Sequence, residues 1–394
     1  MKYLKYLQTA NDFESFKNSE NYILPNVSYI VETEDVSFEP IDLTQNYLTI
    51  EALEDGLTAS LSRSACEYCV DSDGNWKTLA AGTATESINT GHTLSFRGKI
   101  SPTFNKGIGR FTISKRCNLK GNCMSMLFGD NAANNFSLNG KSYAFYELFR
   151  NCTNIINVSS NFLPATTLAG SCYFRMFYGC TNLQTAPELP ATTLTEDCYY
   201  EMFYACESLT TTIELPATTL TYRCYSNMFR GCSSLTTAPE LPATALAYEC
   251  YNYMFSGCTS LTTAPELPAT TLVSNCYYSM FYNCTNLTTA PELPATTLAK
   301  ECYCSMFNNC TSLTTAPELP ATTLADNCYI AIFKNCSKLN YIKMLATDIS
   351  ASSCLTNWVN GVASTGTFVK NPAMTSLPTG ESGIPSGWTI VDAA

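Results

Sequence analysis

Cys276-Tyr277-Tyr278-Ser279-Met280-Phe281-Tyr282-Asn283-Cys284-Thr285-Asn286-Leu287-Thr288-Thr289-Ala290-Pro291-Glu292-Leu293-Pro294-Ala295-Thr296-Thr297-Leu298-Ala299-Lys300-Glu301 is one clean copy of a unit that recurs along most of the chain. One phenylalanine marks the register at Phe149, Phe177, Phe203, Phe229, Phe255, Phe281, Phe307 and Phe333. The first step is 28 residues and every later one is 26. Val359 continues it one step further. A fixed period of this size is the signature of a stacked repeat architecture.

With Cys276 numbered zero, the constant apolar positions are 0, 1, 4, 5 and 8, occupied by Cys276, Tyr277, Met280, Phe281 and Cys284. At about 100° per residue they share one arc of a helix, and positions 2, 3, 6 and 7 fall on the other. The unit therefore predicts a short helix with its constant face buried. Leu287-Thr288-Thr289-Ala290 predicts a brief strand, stopped by Pro291, which lacks an amide hydrogen. One strand and one helix in 26 residues suit a leucine-rich repeat. A single unit cannot bury its apolar face alone, so the units must stack. The expected fold class is an α+β solenoid preceded by a small all-β domain.

The core M-F-x-x-C-[TS]-x-L resembles the A-F-x-x-C-x-x-L core of BspA-type (Treponema-type) leucine-rich repeats, which abound in gut Bacteroides surface proteins and in their phages. The resemblance covers about residues 118–361 and implies the solenoid fold and a binding role. Cys123-Met124-Ser125-Met126-Leu127-Phe128 reads as a degenerate first copy, and Cys354-Leu355-Thr356-Asn357-Trp358-Val359 as the last. Gly366-Thr367-Phe368-Val369-Lys370 and Gly387-Trp388-Thr389-Ile390-Val391 predict a strand-forming cap over 362–394.

Residues 1–40 read as an arm or attachment segment that resembles the leader segments of Bacteroides phage structural proteins, crAss-like phages included. Residues 41–117 read as all-β. Tyr47-Leu48-Thr49-Ile50, Leu57-Thr58-Ala59-Ser60-Leu61 and His92-Thr93-Leu94-Ser95-Phe96 alternate, and Asp73-Gly74 is a hairpin signal. Their turn spacing predicts an immunoglobulin-like sandwich.

The composition narrows the chemistry. A net charge of -11 argues against binding nucleic acid through its phosphates. No run approaches the roughly 20 apolar residues of a membrane helix, and none of signal-peptide length follows Lys2 and Lys5. The one histidine, His92, has no nucleophile motif beside it and reads as a strand residue; no cofactor fingerprint is present, and no enzyme is expected. Cys66, Cys69, Cys117 and Cys123 have imperfect zinc spacing and read instead as buried thiols or one disulfide.

Sixteen of the 21 cysteines form two columns: Cys172, Cys198, Cys224, Cys250, Cys276, Cys302, Cys328, Cys354, and Cys152, Cys180, Cys206, Cys232, Cys258, Cys284, Cys310, Cys336. Both lie on the constant arc, as buried free thiols or as disulfides. Glu188, Glu214, Glu240, Glu266, Glu292 and Glu318 form an acidic column. Its members either splay into water or recruit Ca2+, with Glu240, Glu266 and Glu292 as the candidate ligands.

The variable positions are the candidate binding surface: Phe174, Arg175, Tyr200, Glu201, Tyr204, Arg230, Tyr253, Tyr278, Tyr282, Asn308 and Asn309, joined by Tyr222, Arg223, Tyr248 and Lys300 from the loop before each helix. Tyrosine on a rigid scaffold offers contact area at low entropic cost. The expectation is a non-enzymatic binding protein whose ligand is a protein or cell-surface glycan of a host. The first setting is a virion fibre or decoration protein, anchored to other virion proteins through its arm, in a homo-oligomer such as a trimer. The alternative is a bacterial cell-surface adhesin.

Overall fold

The computed structural model describes residues 47–211 and 213–394. The arm over 1–40 lies outside the described residues. Seven strands precede the repeats: β1 (Leu48–Ala52), β2 (Ala59–Leu61), β3 (Cys66–Val70), β4 (Lys77–Leu79), β5 (Thr93–Arg97), β6 (Phe111–Ile113) and β7 (Cys117–Lys120). β8 (Ile155–Val158) comes from the first full repeat. One sheet has the order β4-β3-β5-β1-β7-β8; β2 and β6 form a separate two-stranded ribbon. The Asp73-Gly74 hairpin joins β3 and β4 in the register Cys66↔Leu79. The short helix α1 (Ser125–Phe128) is stitched to the sheet by Ser125, whose hydroxyl donates to the Phe96 carbonyl at 2.8 Å and accepts from the Leu48 amide at 2.9 Å.

The form differs from the expected immunoglobulin-like sandwich. The second layer is a ribbon of two three-residue strands, and the large sheet runs on into the repeats. β7 pairs in parallel with β8, the Phe111 amide donates to the Leu148 carbonyl at 2.8 Å, and Phe111 stacks on Phe149 at 5.4 Å. Phe111 thus takes the place that a phenylalanine holds in the preceding repeat.

The expected helix in each repeat is replaced by a chain of consecutive turns. Every fourth residue lies in the left-handed region: Asn275 (φ 59°), Ser279 (φ 51°) and Asn283 (φ 61°) in the copy quoted above. A right-handed helix cannot contain such residues. Amides alternate between two kinds of partner. Those of Met280, Tyr282 and Cys284 close three-residue turns onto Tyr277, Ser279 and Phe281 at 3.1–3.3 Å. Those of Tyr277, Ser279, Phe281 and Asn283 donate across to Cys302, Cys304, Met306 and Asn308 of the next coil at 2.8–3.1 Å. The true period is therefore 4, two residues in and two out, and half the donors of a coil need its neighbour. The expected strand shrinks likewise. In the middle of the stack it is reduced to isolated parallel bridges such as Thr263↔Thr289. Full strands occur near the ends, in β8 and in β9 (Tyr341–Met344).

The constant side chains form ladders. Phe149, Phe177, Phe203, Phe229, Phe255, Phe281, Phe307 and Phe333 stack at 5.5–5.8 Å, and Tyr173 through Tyr329 run parallel to them at 5.8–6.1 Å. All 21 cysteines are free and buried, which settles the columns as thiols. Those of the second column donate Sγ to the phenylalanine carbonyl one repeat back, as Cys284 does to Phe255 at 3.1 Å. At the far end Trp358 and Phe368 continue the ladder, and β10 (Thr367–Lys370) and β11 (Thr389–Asp392) extend the sheet from β9 in parallel.

The last left-handed position of each coil is filled by Asn151, Gly179, Ala205, Gly231, Gly257, Asn283, Asn309, Asn335 and Gly361. Ala205 (φ 55°) is the exception among residues that tolerate this conformation. Ala205→Gly is expected to raise stability by about 0.5–1 kcal/mol, the left-handed penalty less glycine's entropy. Gly231→Val is expected to lower it by about 1–2 kcal/mol. Urea titration of both variants checks the pair; equal midpoints would show that the turn geometry is wrong.

Candidate functional site

Because two residues in four point outward, the variable positions of successive coils sit directly above one another. At position 2, Tyr146, Phe174 and Tyr200 stack at 4.9 and 4.8 Å with interplanar angles of 8° and 14°. At position 6, Tyr178 stacks on Tyr204 at 4.6 Å. In the loop before the turns Tyr222 lies against Tyr248 at 5.9 Å. Tyr253 and Tyr278 meet at 5.4 Å, tilted by 54°.

Guanidinium groups interleave these rings. Arg175 lies 5.0 Å from the Phe174 ring and binds Glu201 at 2.7 Å. Arg223 grips Asp197 with two bonds of 2.9 Å and faces Tyr200 and Tyr222 at 4.9 and 4.6 Å. Arg230 bridges Tyr204 and Tyr253 at 5.6 and 4.6 Å. Planar guanidinium stacks on rings and forks onto carboxylates, so arginine suits such a lattice better than lysine. Glu201 is buried here, and burial followed by that carboxylate pushes the Tyr200 hydroxyl up to about 12. The rings lie face to face within each column. What they present to a ligand is edges and hydroxyls, with charges fixed between them.

The structure thus joins Phe174, Arg175, Tyr200, Glu201, Tyr204, Tyr222, Arg223, Arg230, Tyr248, Tyr253 and Tyr278, on turns where a helix face was expected. Tyr282 is exposed with no ring against it among the described residues, and Asn308, Asn309 and Lys300 belong to later coils outside the lattice. Sequence reasoning missed Tyr146, Glu147, Arg150, Tyr178 and Asp197. Glu147 binds Arg150 at 2.6 Å and also pairs with Arg110. The available signal was register: Tyr146 and Tyr178 occupy positions 2 and 6, the positions at which Phe174 and Tyr204 stand.

Other candidates lead elsewhere. His92 Nδ1 meets Asp71 Oδ2 at 2.6 Å in an exposed pair at the start of β5. Glu240, Glu266 and Glu292 are exposed, and Glu318 pairs with Lys343 at 2.9 Å. Among the described residues no group of three or more His, Cys, Asp or Glu side chains converges to hold a metal ion, so neither the acidic column nor the Cys66, Cys69, Cys117, Cys123 set forms a chelate. Among the same residues no helix is long and apolar enough to cross a membrane.

A stack of 26-residue coils with a constant interior and a variable outer face defines a leucine-rich-repeat protein. The chain belongs to the BspA type leucine rich repeat region family: six copies match over residues 145–263 and 241–357, more than half of its length. Among solved structures it is similar to a leucine-rich repeat protein from Bacteroides ovatus, at 14% identity and a TM-score of 0.28, covering 63% of this chain and 77% of that one. No curated protein matches.

Proposed function

We propose that the protein is a non-enzymatic binding protein displayed at a surface, and that its ligand face is the arginine–tyrosine lattice between Tyr146 and Tyr278. One observation carries this reading: at constant backbone geometry, the interior positions repeat while the outward ones collect aromatic and arginine side chains. These are the residue types that dominate binding energy at interfaces. They are also prepositioned by stacking, which lowers the entropic cost of engagement. The family supports a binding scaffold, and a bacterial cell-surface adhesin is the setting it favours. The second reading, a virion fibre or decoration protein in a symmetric homotrimer, rests on the phage-like leader over residues 1–40. The ligand is a protein or glycan of a cell surface.

The test is binding to arrayed cell-surface proteins and glycans. A triple variant, Tyr204→Ala, Tyr222→Ala and Tyr248→Ala, is expected to lose at least about tenfold in affinity, since interface aromatics are worth about 1–2 kcal/mol each. Thr236→Ala with Thr262→Ala, on exposed threonines outside the lattice, leaves it unchanged. Equal binding by both variants removes the lattice as the ligand face. Mass spectrometry of purified virions against cell-envelope fractions separates the two settings.

A further inference from the structure

A cleft of about 450 Å³ opens where the β domain meets the first coil. Its volume lies in the range of small-ligand sites. Two glycines shape it. Gly109 (φ 113°) brings its backbone so close to Arg63 that a Cβ would stand 3.0 Å from the Arg63 nitrogen, and at Gly107 one would stand 2.9 Å from the Tyr143 carbonyl. The lining is cationic in a chain of net charge -11: Arg63, Lys106 and Arg110 face a single carboxylate, Glu147. Glu147 is already engaged by Arg110 and Arg150. Arg63 and Lys106 are exposed and make no ion pair among the described residues. Arg110 Nε is shut off from solvent with no acceptor. The cleft therefore holds positive charge that the protein itself does not neutralise.

The rest of the lining is hydroxyl and amide, from Ser62, Asn105 and Thr112, together with Gly109 and the Tyr146 ring. Beside Asn105, Phe104 is 73% exposed and meets Tyr143 edge to face at 4.9 Å, so it keeps an open apolar surface. Cations for an anion, hydroxyls for hydroxyls and the Tyr146 ring for a C–H face make up a set that suits a sugar acid. A glutamate side chain would satisfy only the first and would leave most of the volume empty.

We propose that this cleft binds the acidic residue of a glycan, a sugar carrying a carboxylate or a sulfate, with Arg63 and Lys106 on the anion. The proposal rests on the reading of the protein as a surface-binding one and names its ligand class; the cleft shares Tyr146 and Glu147 with the edge of the lattice, but the two cations assigned to the anion, Arg63 and Lys106, lie outside it.

Calorimetric titration of the full chain with trigalacturonate and with a heparin tetrasaccharide tests it, against their neutral counterparts, trigalactose and the desulfated, N-acetylated, carboxyl-reduced tetrasaccharide, and against hexaglutamate. At least one acidic saccharide is expected to bind at least tenfold more tightly than its neutral counterpart and than hexaglutamate. Which one binds distinguishes carboxylate from sulfate. Arg63→Ala with Lys106→Ala loses at least tenfold of that binding at an unchanged melting temperature, while Lys115→Ala with Arg116→Ala retains it. The triple tyrosine variant also retains it, so failure of the lattice and failure of the cleft are told apart. Equal binding of neutral sugar, equal binding of hexaglutamate, no binding of either acid, or indifference to the double variant each overturns the proposal.

Discussion

Raising the pH from 8 to about 10 is expected to unfold the chain cooperatively. Burial pushes the thiols of Cys152, Cys172, Cys224, Cys276, Cys284 and Cys336 up to about 12, and those of Cys180, Cys198, Cys206, Cys250, Cys258, Cys302 and Cys310 well above their ordinary value of 9.0. A thiol raised on folding contributes its full stability below 9.0 and loses it as the pH climbs toward the folded value, because the unfolded chain releases the proton first. By pH 10 each such thiol has lost about 1.4 kcal/mol. If only half of the sixteen column thiols behave so, the loss is about 10 kcal/mol, which matches the whole stability of a typical domain. The buried tyrosine ladder, with hydroxyls also raised by burial, steepens the fall above pH 10. Circular dichroism against pH, with thiolate absorbance recorded in parallel, reads both events. They should coincide between pH 9 and 10.5. Intact structure at pH 11, or thiolates appearing without unfolding, would contradict buried columns.

Phe255→Ala is expected to cost about 3–5 kcal/mol and to divide the unfolding transition. Its ring is fully buried and stacks on Phe229 at 5.8 Å and on Phe281 at 5.7 Å. In a stack whose stability is mostly nearest-neighbour coupling, a cavity at the middle weakens two interfaces at once and leaves two half-stacks that melt separately. Phe333→Ala, nearer the end, should fray only the coils beyond it. Hydrogen exchange resolved by peptide distinguishes them: in Phe255→Ala protection drops across the centre, in Phe333→Ala at the C-terminal coils. A single unsplit transition in both variants would mean the stack behaves as one unit.

The stacking, its inward stripe and the terminal strands were legible because burial repeats at fixed spacing. The backbone was not. Positions 0, 1, 4, 5 and 8 suit a period of 3.6 as well as one of 4 over so short a run, so Cys276 through Cys284 look equally helical either way. The separating signal was the glycine or asparagine that closes nearly every coil, from Asn151 to Gly361, residues suited to left-handed backbone rather than to a helix interior. The candidate surface was legible where the 26-residue step holds and lost where it fails. Tyr146 and Glu147 lie in the coil that lacks its leading cysteine and precedes the 28-residue step. Arg110 belongs to β-domain chain that only folding brings beside them. Periodicity reports nothing about such partners.

Since alternate amides of each coil donate to the next, a pull on the two ends is borne by one interface at a time. Tension would peel coils off singly, each releasing roughly 85 Å of slack from its 26 residues. Such a chain would lengthen in steps under load, so a contact of the kind proposed for its outer face would be spared sudden force.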